Sequence, residues 1–510
     1  MNNYDLDDAL VQFVNDPLVS PWTLRHAFEG VQIFGGIGSG KTSGSGRTIA
    51  MKYLKYGFGG LVLTVKHDEV DTWKEYCEAA GRIDDLLILE PSGKYNFNFL
   101  TYVSESVGKK EALTENVVEV LKTVIKASQE KDGGGNDNAF WETALDMLMF
   151  NVIDLCKLAY GQITVQLLYD IANTLPQMEL TTKTPEQKEA DSKKATPFKT
   201  AHALAVANVE KELKQWHKDL SEEYKEKLKK TGSIKQAYLS DLANARLLNT
   251  LNQFFFITLK NLNDKTRSII DFMFSGFLFR LLREPIYSTF CKNTSNIAPE
   301  NSLNGKIIVL NMPVKIYNKV GRDCQILFKY IWQRTMEKRR TKDNNRPVFL
   351  WADEAQNFIH EHDADYQATT RSSRVSTVYL TQNLPNYLAA LDGKRGEYKV
   401  KSFIGTLGTK IFHANSDLDT NIYSSNLVGE KEYERTQQGM SGGEENTGYS
   451  VNRTSAFEKV MRPEDFVGLK NGGKKNKEIV QGLVHVQGSS IFANDNFYIV
   501  KFLQDRTANI

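Results

Sequence analysis

The sequence predicts an α/β fold: a central, mostly parallel sheet whose chain is interrupted by an all-α insertion. Three observations predict it. Val31–Phe34 is a short apolar run followed at once by a glycine-rich turn and a helix-forming stretch. Strand-like and helix-like stretches alternate, with short turns, on either side of the middle of the chain, which argues for parallel pairing. From about Glu105 to Lys292 apolar residues recur at helical spacing instead.

The first turn is informative by itself. Gly35-Gly36-Ile37-Gly38-Ser39-Gly40-Lys41-Thr42 reads G-x-x-x-x-G-K-[ST] directly after a strand. Glycines let backbone N–H groups turn inward around phosphate oxygens, and the next helix adds its positive N-terminal end. Gly35, Gly36, Gly38, Ser39, Gly40, Lys41, Thr42 and Ser43 are therefore the candidate nucleotide cradle. Lys41 is placed to reach the β- and γ-phosphates, and Thr42 to hold Mg²⁺.

The later elements follow in order. Gly60–Val65 is a buried strand, Asp71–Gly81 an amphipathic helix and Leu86–Leu89 a second strand. Val117, Val118, Val120, Leu121, Val124 and Ile125 mark a helix; Gly133–Gly135 break the pattern, and Phe140 to Tyr160 is a long apolar helix. Residues 181–197 lack apolar anchors and read as a flexible loop. Residues 208–230 read as one charged helix with a solvated face. Strand signals return at Lys306–Asn311, a helix at Gly321–Arg339, then strands at Pro347–Ala352, Ser376–Leu380 and Thr409–Phe412. Residues 437–455, rich in Gly, Ser, Asn and Glu, read as a second flexible loop.

Composition narrows the classes. Apolar content is 41% and the net charge is +2, so bulk basicity does not point to nucleic acid, and any DNA contact must come from local patches or a ring of subunits. The four cysteines have no metal-ligand spacing and read as reduced, buried thiols of a cytoplasmic protein. The N-terminus has no basic-then-apolar leader, and no window reaches the roughly 20 apolar residues of a membrane helix.

Two strand ends carry further chemistry. Asp353-Glu354 ends an apolar strand, and parallel strands put their C-terminal ends on one edge, across from the phosphate loop. Asp353 would help hold Mg²⁺, and Glu354 would orient and deprotonate a water. Gln382 ends the next strand, where its amide can report on the γ-phosphate. Arg371 and Arg374 precede that strand; in a ring, such an arginine can enter a neighbour's site and neutralise developing charge. Two other readings fail. Gly439–Gly443 fits G-x-S-x-G but has no strained strand-to-helix elbow, and the histidines show no zinc-protease spacing.

The order of these parts resembles the conjugative coupling ATPases of type IV secretion (TraG/TraD type), within the HerA–FtsK group of hexameric DNA pumps. The resemblance runs through the phosphate loop, Val65-Lys66-His67-Asp68, Leu89-Glu90-Pro91, Tyr95–Leu100, the Phe140-Trp141 pair and Gly305–Pro313. It continues through Asp353-Glu354, Arg371 eleven residues before Gln382, and Arg462-Pro463-Glu464-Asp465-Phe466. It implies a RecA-like P-loop NTPase motor domain built from 1–105 and 296–510, with an all-α domain at 106–295. It implies ATP and Mg²⁺ as cofactors, a hexamer, DNA as cargo, and catalytic roles for Lys41, Glu354, Gln382 and Arg371. A relaxase, a nuclease or a membrane-anchoring protein would be the partner. The family usually has membrane helices ahead of its loop; here the loop begins at Gly35, so the expected location is cytoplasmic, peripheral to the inner membrane through a partner. Two alternatives stay open: an NTPase switch working with a nuclease in defence, and a cargo receptor for a relaxase.

Overall fold

The computed structural model describes residues 4–105, 114–128, 137–176, 194–292, 294–391, 393–443, 446–488, 491–493 and 495–504. The chain divides into two compact units, one of residues 1–88, 299–325 and 332–510, the other of 89–298 and 326–331.

Thirteen strands are described: β1 (Ala9–Val11), β2 (Trp22–Thr23), β3 (Val31–Phe34), β4 (Gly59–Leu63), β5 (Leu86–Leu89), β6 (Ile307–Leu310), β7 (Val348–Ala352), β8 (Val375–Thr381), β9 (Thr409–Phe412), β10 (Glu430–Gly443), β11 (Asn446–Lys459), β12 (Ile479–Val486) and β13 (Phe497–Leu503). Nine form one sheet in the order β13-β12-β9-β3-β8-β7-β4-β6-β5. β9, β3, β8, β7, β4 and β6 run parallel; β12 and β13 add an antiparallel edge. The parallel strands are buried along their length, as strands covered on both faces must be. β8 lies between the loop strand β3 and the acidic strand β7, with Phe34 beside Thr381 and Ala352 beside Tyr379.

Aromatic packing fixes the helix that follows the phosphate loop. On that helix, Arg47–Tyr56, Tyr53 stacks on Phe58 at 4.3 Å, and its hydroxyl is 2.7 Å from that of Ser376 on β8. Trp73 stacks on Phe349 of β7. Gly60 is required because a Cβ there would sit 2.6 Å from the Phe349 ring. At the C-terminal strand ends, buried Gln325 donates to the Thr64 and Met312 carbonyls and accepts from the Thr64 N–H.

The second unit is helical. Val117, Val118, Val120, Leu121, Val124 and Ile125 are all buried. Its helices carry side-chain caps: Thr164 accepts from the Leu167 N–H and Asn263 from the Thr266 N–H, each satisfying an orphan donor of the first turn.

Several elements differ from the sequence expectation. Residues 208–230 are not one helix: Pro197–Asp219 ends at extended Leu220, and Ser221 caps a new helix, Glu222–Thr231. A short helical stretch from Val314 precedes the long helix: Asn318 leaves helical geometry, and the long helix starts after it, close to the expected Gly321. Of residues 437–455, the described ones, 437–443 and 446–455, are not a loop but lie on the paired strands β10 and β11, and Gly439–Gly443 lies on β10. Of the stretch 181–197, residues 181–193 lie outside the described residues, and Pro197 opens a helix.

Candidate nucleotide site

β3 ends at the phosphate loop, and the Gly35 N–H donates to the Thr381 carbonyl while the Gly36 N–H donates to that of Ala414. The loop therefore hangs from the ends of β8 and β9. Gly38 and Gly40 take left-handed backbone angles, φ 70° and 84°, which strain any residue with a Cβ. At Gly40 a Cβ would also lie 2.5 Å from Val480. The N–H groups of Gly38, Gly40, Lys41 and Thr42 have no hydrogen-bond partner among the described residues, and the Ser39 hydroxyl is buried without one. Such a ring of unpaired donors at a helix N-terminus suits an anion.

The loop and the acidic strand end meet. Thr42 Oγ1 donates to Asp353 Oδ2 at 2.7 Å. Asp353 Oδ1 accepts the Glu354 N–H at 2.8 Å. Lys41 Nζ is 3.5 Å from Glu354 Oε1, and both side chains are buried. Gln382 Nε2 reaches the same Glu354 Oε1 at 3.3 Å, and Gln356 Nε2 donates to Oε2 at 2.9 Å. Thr381 Oγ1 in turn fixes Gln356. Glu354 has left-handed φ and ψ of 49°, an uncommon conformation for a non-glycine residue that is worth reading as functional.

Charge in the site is unevenly balanced. Burial pushes the Glu354 carboxyl up, but Gln356, Lys41, Gln382 and Lys66 together hold it below the ordinary value. For Glu69 burial wins, reinforced by the Asp353 charge, and its carboxyl is pushed up to about 8. Behind the loop, His413 is fully buried and burial pushes its imidazole down to about 4. Its Nδ1–H donates to the Gln481 carbonyl, so its Nε2 accepts from the Ser45 hydroxyl at 2.7 Å.

Gly36, Gly38, Ser39, Gly40, Lys41, Thr42, Ser43, Lys66, Glu69 and Asp353 line one cavity of about 340 Å³. No group of three or more His, Cys, Asp or Glu is poised to hold a metal among the described residues. A hydroxyl and a carboxylate beside a phosphate cradle suit Mg²⁺ nonetheless, because that ion is typically bound through one or two carboxylates, phosphates and retained waters. Arg371 stands apart. It precedes β8 at the opposite edge of the sheet, roughly 20 Å of strand from Gln382. There it is exposed, 3.7 Å from Glu29.

Lys41, Thr42, Asp353, Glu354 and Gln382 are thus brought together, and Arg371 is not. Sequence reasoning did not single out Glu69, Gln356 or His413 as site residues. Gln356 could have been found, since it follows the Asp353-Glu354 pair by two residues; nothing local marks His413, whose strand joins β3 from far along the chain.

Residues 12–253 match the family described as "Type IV secretory system Conjugative DNA transfer". Residues 347–471 match "TraM recognition site of TraD and TraG". One segment holds the phosphate loop, the other Asp353, Glu354, Arg371 and Gln382. The chain belongs to the type IV secretion coupling ATPases. No curated protein matches it significantly in sequence. Among solved structures, the unbound monoclinic form of the bacterial conjugative coupling protein TrwB is similar at 13% identity and TM-score 0.61, over 98% of this chain and 91% of that one. TrwB in complex with ADP and Mg²⁺ gives 13% and 0.60, over 99% and 91%. At that identity the likeness speaks to the coupling ATPase fold, the α/β P-loop architecture described above. Among the described residues of this coupling ATPase, no helix is long and apolar enough to cross a membrane.

Proposed function

We propose that this coupling ATPase is an ATP-driven DNA translocase, hydrolysing ATP with Mg²⁺ at subunit interfaces of a hexameric ring. One observation carries the reading: the unpaired loop N–H groups, the Thr42–Asp353 pair and the Lys41–Glu354 pair all converge at the C-terminal edge of one sheet. The solved TrwB complexes with ADP and Mg²⁺ and with a GTP analogue support the ligand class. The family description, conjugative DNA transfer, supports DNA as cargo.

Thr42 and Asp353 would hold Mg²⁺, which supplies charge neutralisation at the phosphates. Lys41 leaves Glu354 for the triphosphate, and Glu354, still steadied by Gln356 and Gln382, takes the proton of the attacking water. Arg371 lies too far from its own site to act there, so it serves the site of an adjacent copy. A relaxase or a TraM-type protein is the partner class, at the cytoplasmic side of the inner membrane.

Turnover measured against DNA length tests this. A motor shows turnover that is stimulated by DNA and rises with its length. A few turnovers indifferent to DNA would instead identify a switch.

A further inference from the structure

Asp353 and Glu69 line the same nucleotide cavity, and they are not equally satisfied. Both oxygens of Asp353 are used, one by the Thr42 hydroxyl and one by the Glu354 N–H. Glu69 stands in the first turn of the helix Glu69–Ala79, which leads away from the end of β4. Its Oε2 is pinned by the Val65 N–H at 2.9 Å. Its Oε1 is shut off from solvent and has no hydrogen-bond partner. No Lys or Arg among the described residues makes a close ion pair with it; the Lys66 charge favours its ionised form only in part, since burial and Asp353 outweigh it.

A buried carboxylate oxygen left without a partner is costly. Here the pinned orientation keeps it so, beside a second carboxylate that repels it. The arrangement makes chemical sense if positive charge and water occupy that end of the cavity during the cycle. Mg²⁺ brings both, because it keeps several of its waters when bound by carboxylate and phosphate.

We propose that Glu69 is a second carboxylate of the divalent-cation site, its charge beside Asp353 setting the ion's affinity. Asp353 and Thr42 hold the ion; Glu69 adds negative charge beside it. Partners of this outer kind change metal affinity by about 10–100-fold when removed. The assignment rests on the nucleotide-site reading given above.

The test is ADP binding to the full chain by calorimetry, in EDTA and across a Mg²⁺ titration, for the wild type and Glu69→Gln. Gln keeps the shape and an oxygen for the Val65 N–H, and it mimics a merely protonated glutamic acid. The expected result is metal-free ADP affinity within about twofold of wild type, with the Mg²⁺ concentration for half-maximal tightening raised about tenfold or more. Unchanged Mg²⁺ dependence in Glu69→Gln would overturn the assignment and leave a structural acid. If Glu69→Gln is unstable, Glu69→Asp keeps the charge but withdraws it from the ion, and the same weakening of Mg²⁺ coupling is expected. A wild type that binds no ADP even with Mg²⁺ would instead defeat the nucleotide-site reading itself.

Discussion

In the proposed mechanism Glu354 is the base, and its surroundings would keep it ready. A water-activating carboxylate must be ionised, yet burial opposes ionisation. Two amides and two lysines reverse that effect, the Gln356 hydrogen bond foremost among them. A base works when deprotonated, so a lowered value extends activity toward acid. The acid limb of kcat/KM, which reports the free enzyme, is expected below the ordinary glutamic value of 4.5. Gln356→Leu removes a hydrogen bond to the charged form, so the limb should move to higher pH; a pH–rate profile that stays put would show that Gln356 does not hold the base. At this scale the sequence was legible wherever residue type and position coincide, as for Lys41, Thr42 and Asp353. It was silent on Glu69, whose importance comes from what it lacks in the folded chain.

The phosphate loop shows the same at the scale of an element. Gly40 must be glycine twice over, for its left-handed angle and for the approach of Val480 from β12. Gly40→Ala should cost about 1–2 kcal/mol for conformation alone and weaken ADP binding as the loop shifts off Val480. Gly405→Ala, in the helix Gly393–Thr406 with nothing near its Cβ, should leave binding unchanged and stabilise the fold slightly. Denaturant midpoints and ADP affinities of the two variants check the contrast. Each parallel strand flanking the site was legible to within about two residues, because a strand covered on both faces reads as an apolar run. β12 was not: Gln481, Gly482 and His485 interrupt its apolar residues, and Gly482 is there because the His413 ring packs against it. The β10–β11 hairpin was hidden for a different reason. Its arms pair only with each other, so the sequence carries polar residues on a strand where burial would have demanded apolar ones.

At the scale of the whole molecule, composition and geometry point the same way. A chain carrying 64 basic and 62 acidic residues gains little from bulk charge in holding DNA, whereas copies around a pore would concentrate modest patches. In the proposed ring Arg371 would serve a neighbour's site, since its own site is at the far edge of its sheet. Arg371→Ala should bind ATP yet hydrolyse poorly, and so should Glu354→Gln. Mixing the two inactive chains should restore part of the wild-type rate, because some interfaces then join an intact arginine to an intact base. Mixtures no more active than either parent would mean that the site is not shared. The proposed assembly could be read from the sequence only through resemblance, since nothing in the local pattern says which surface would meet a neighbour.

The account's central claim is that Glu354 performs chemistry on a nucleotide held by the Gly35–Thr42 loop. Glu354→Gln measured for both ATP-analogue affinity and ATP turnover tests it most directly. The expected result is affinity within about threefold of wild type and turnover lower by about 10²-fold or more. Turnover within about tenfold of wild type at saturating ATP would contradict it.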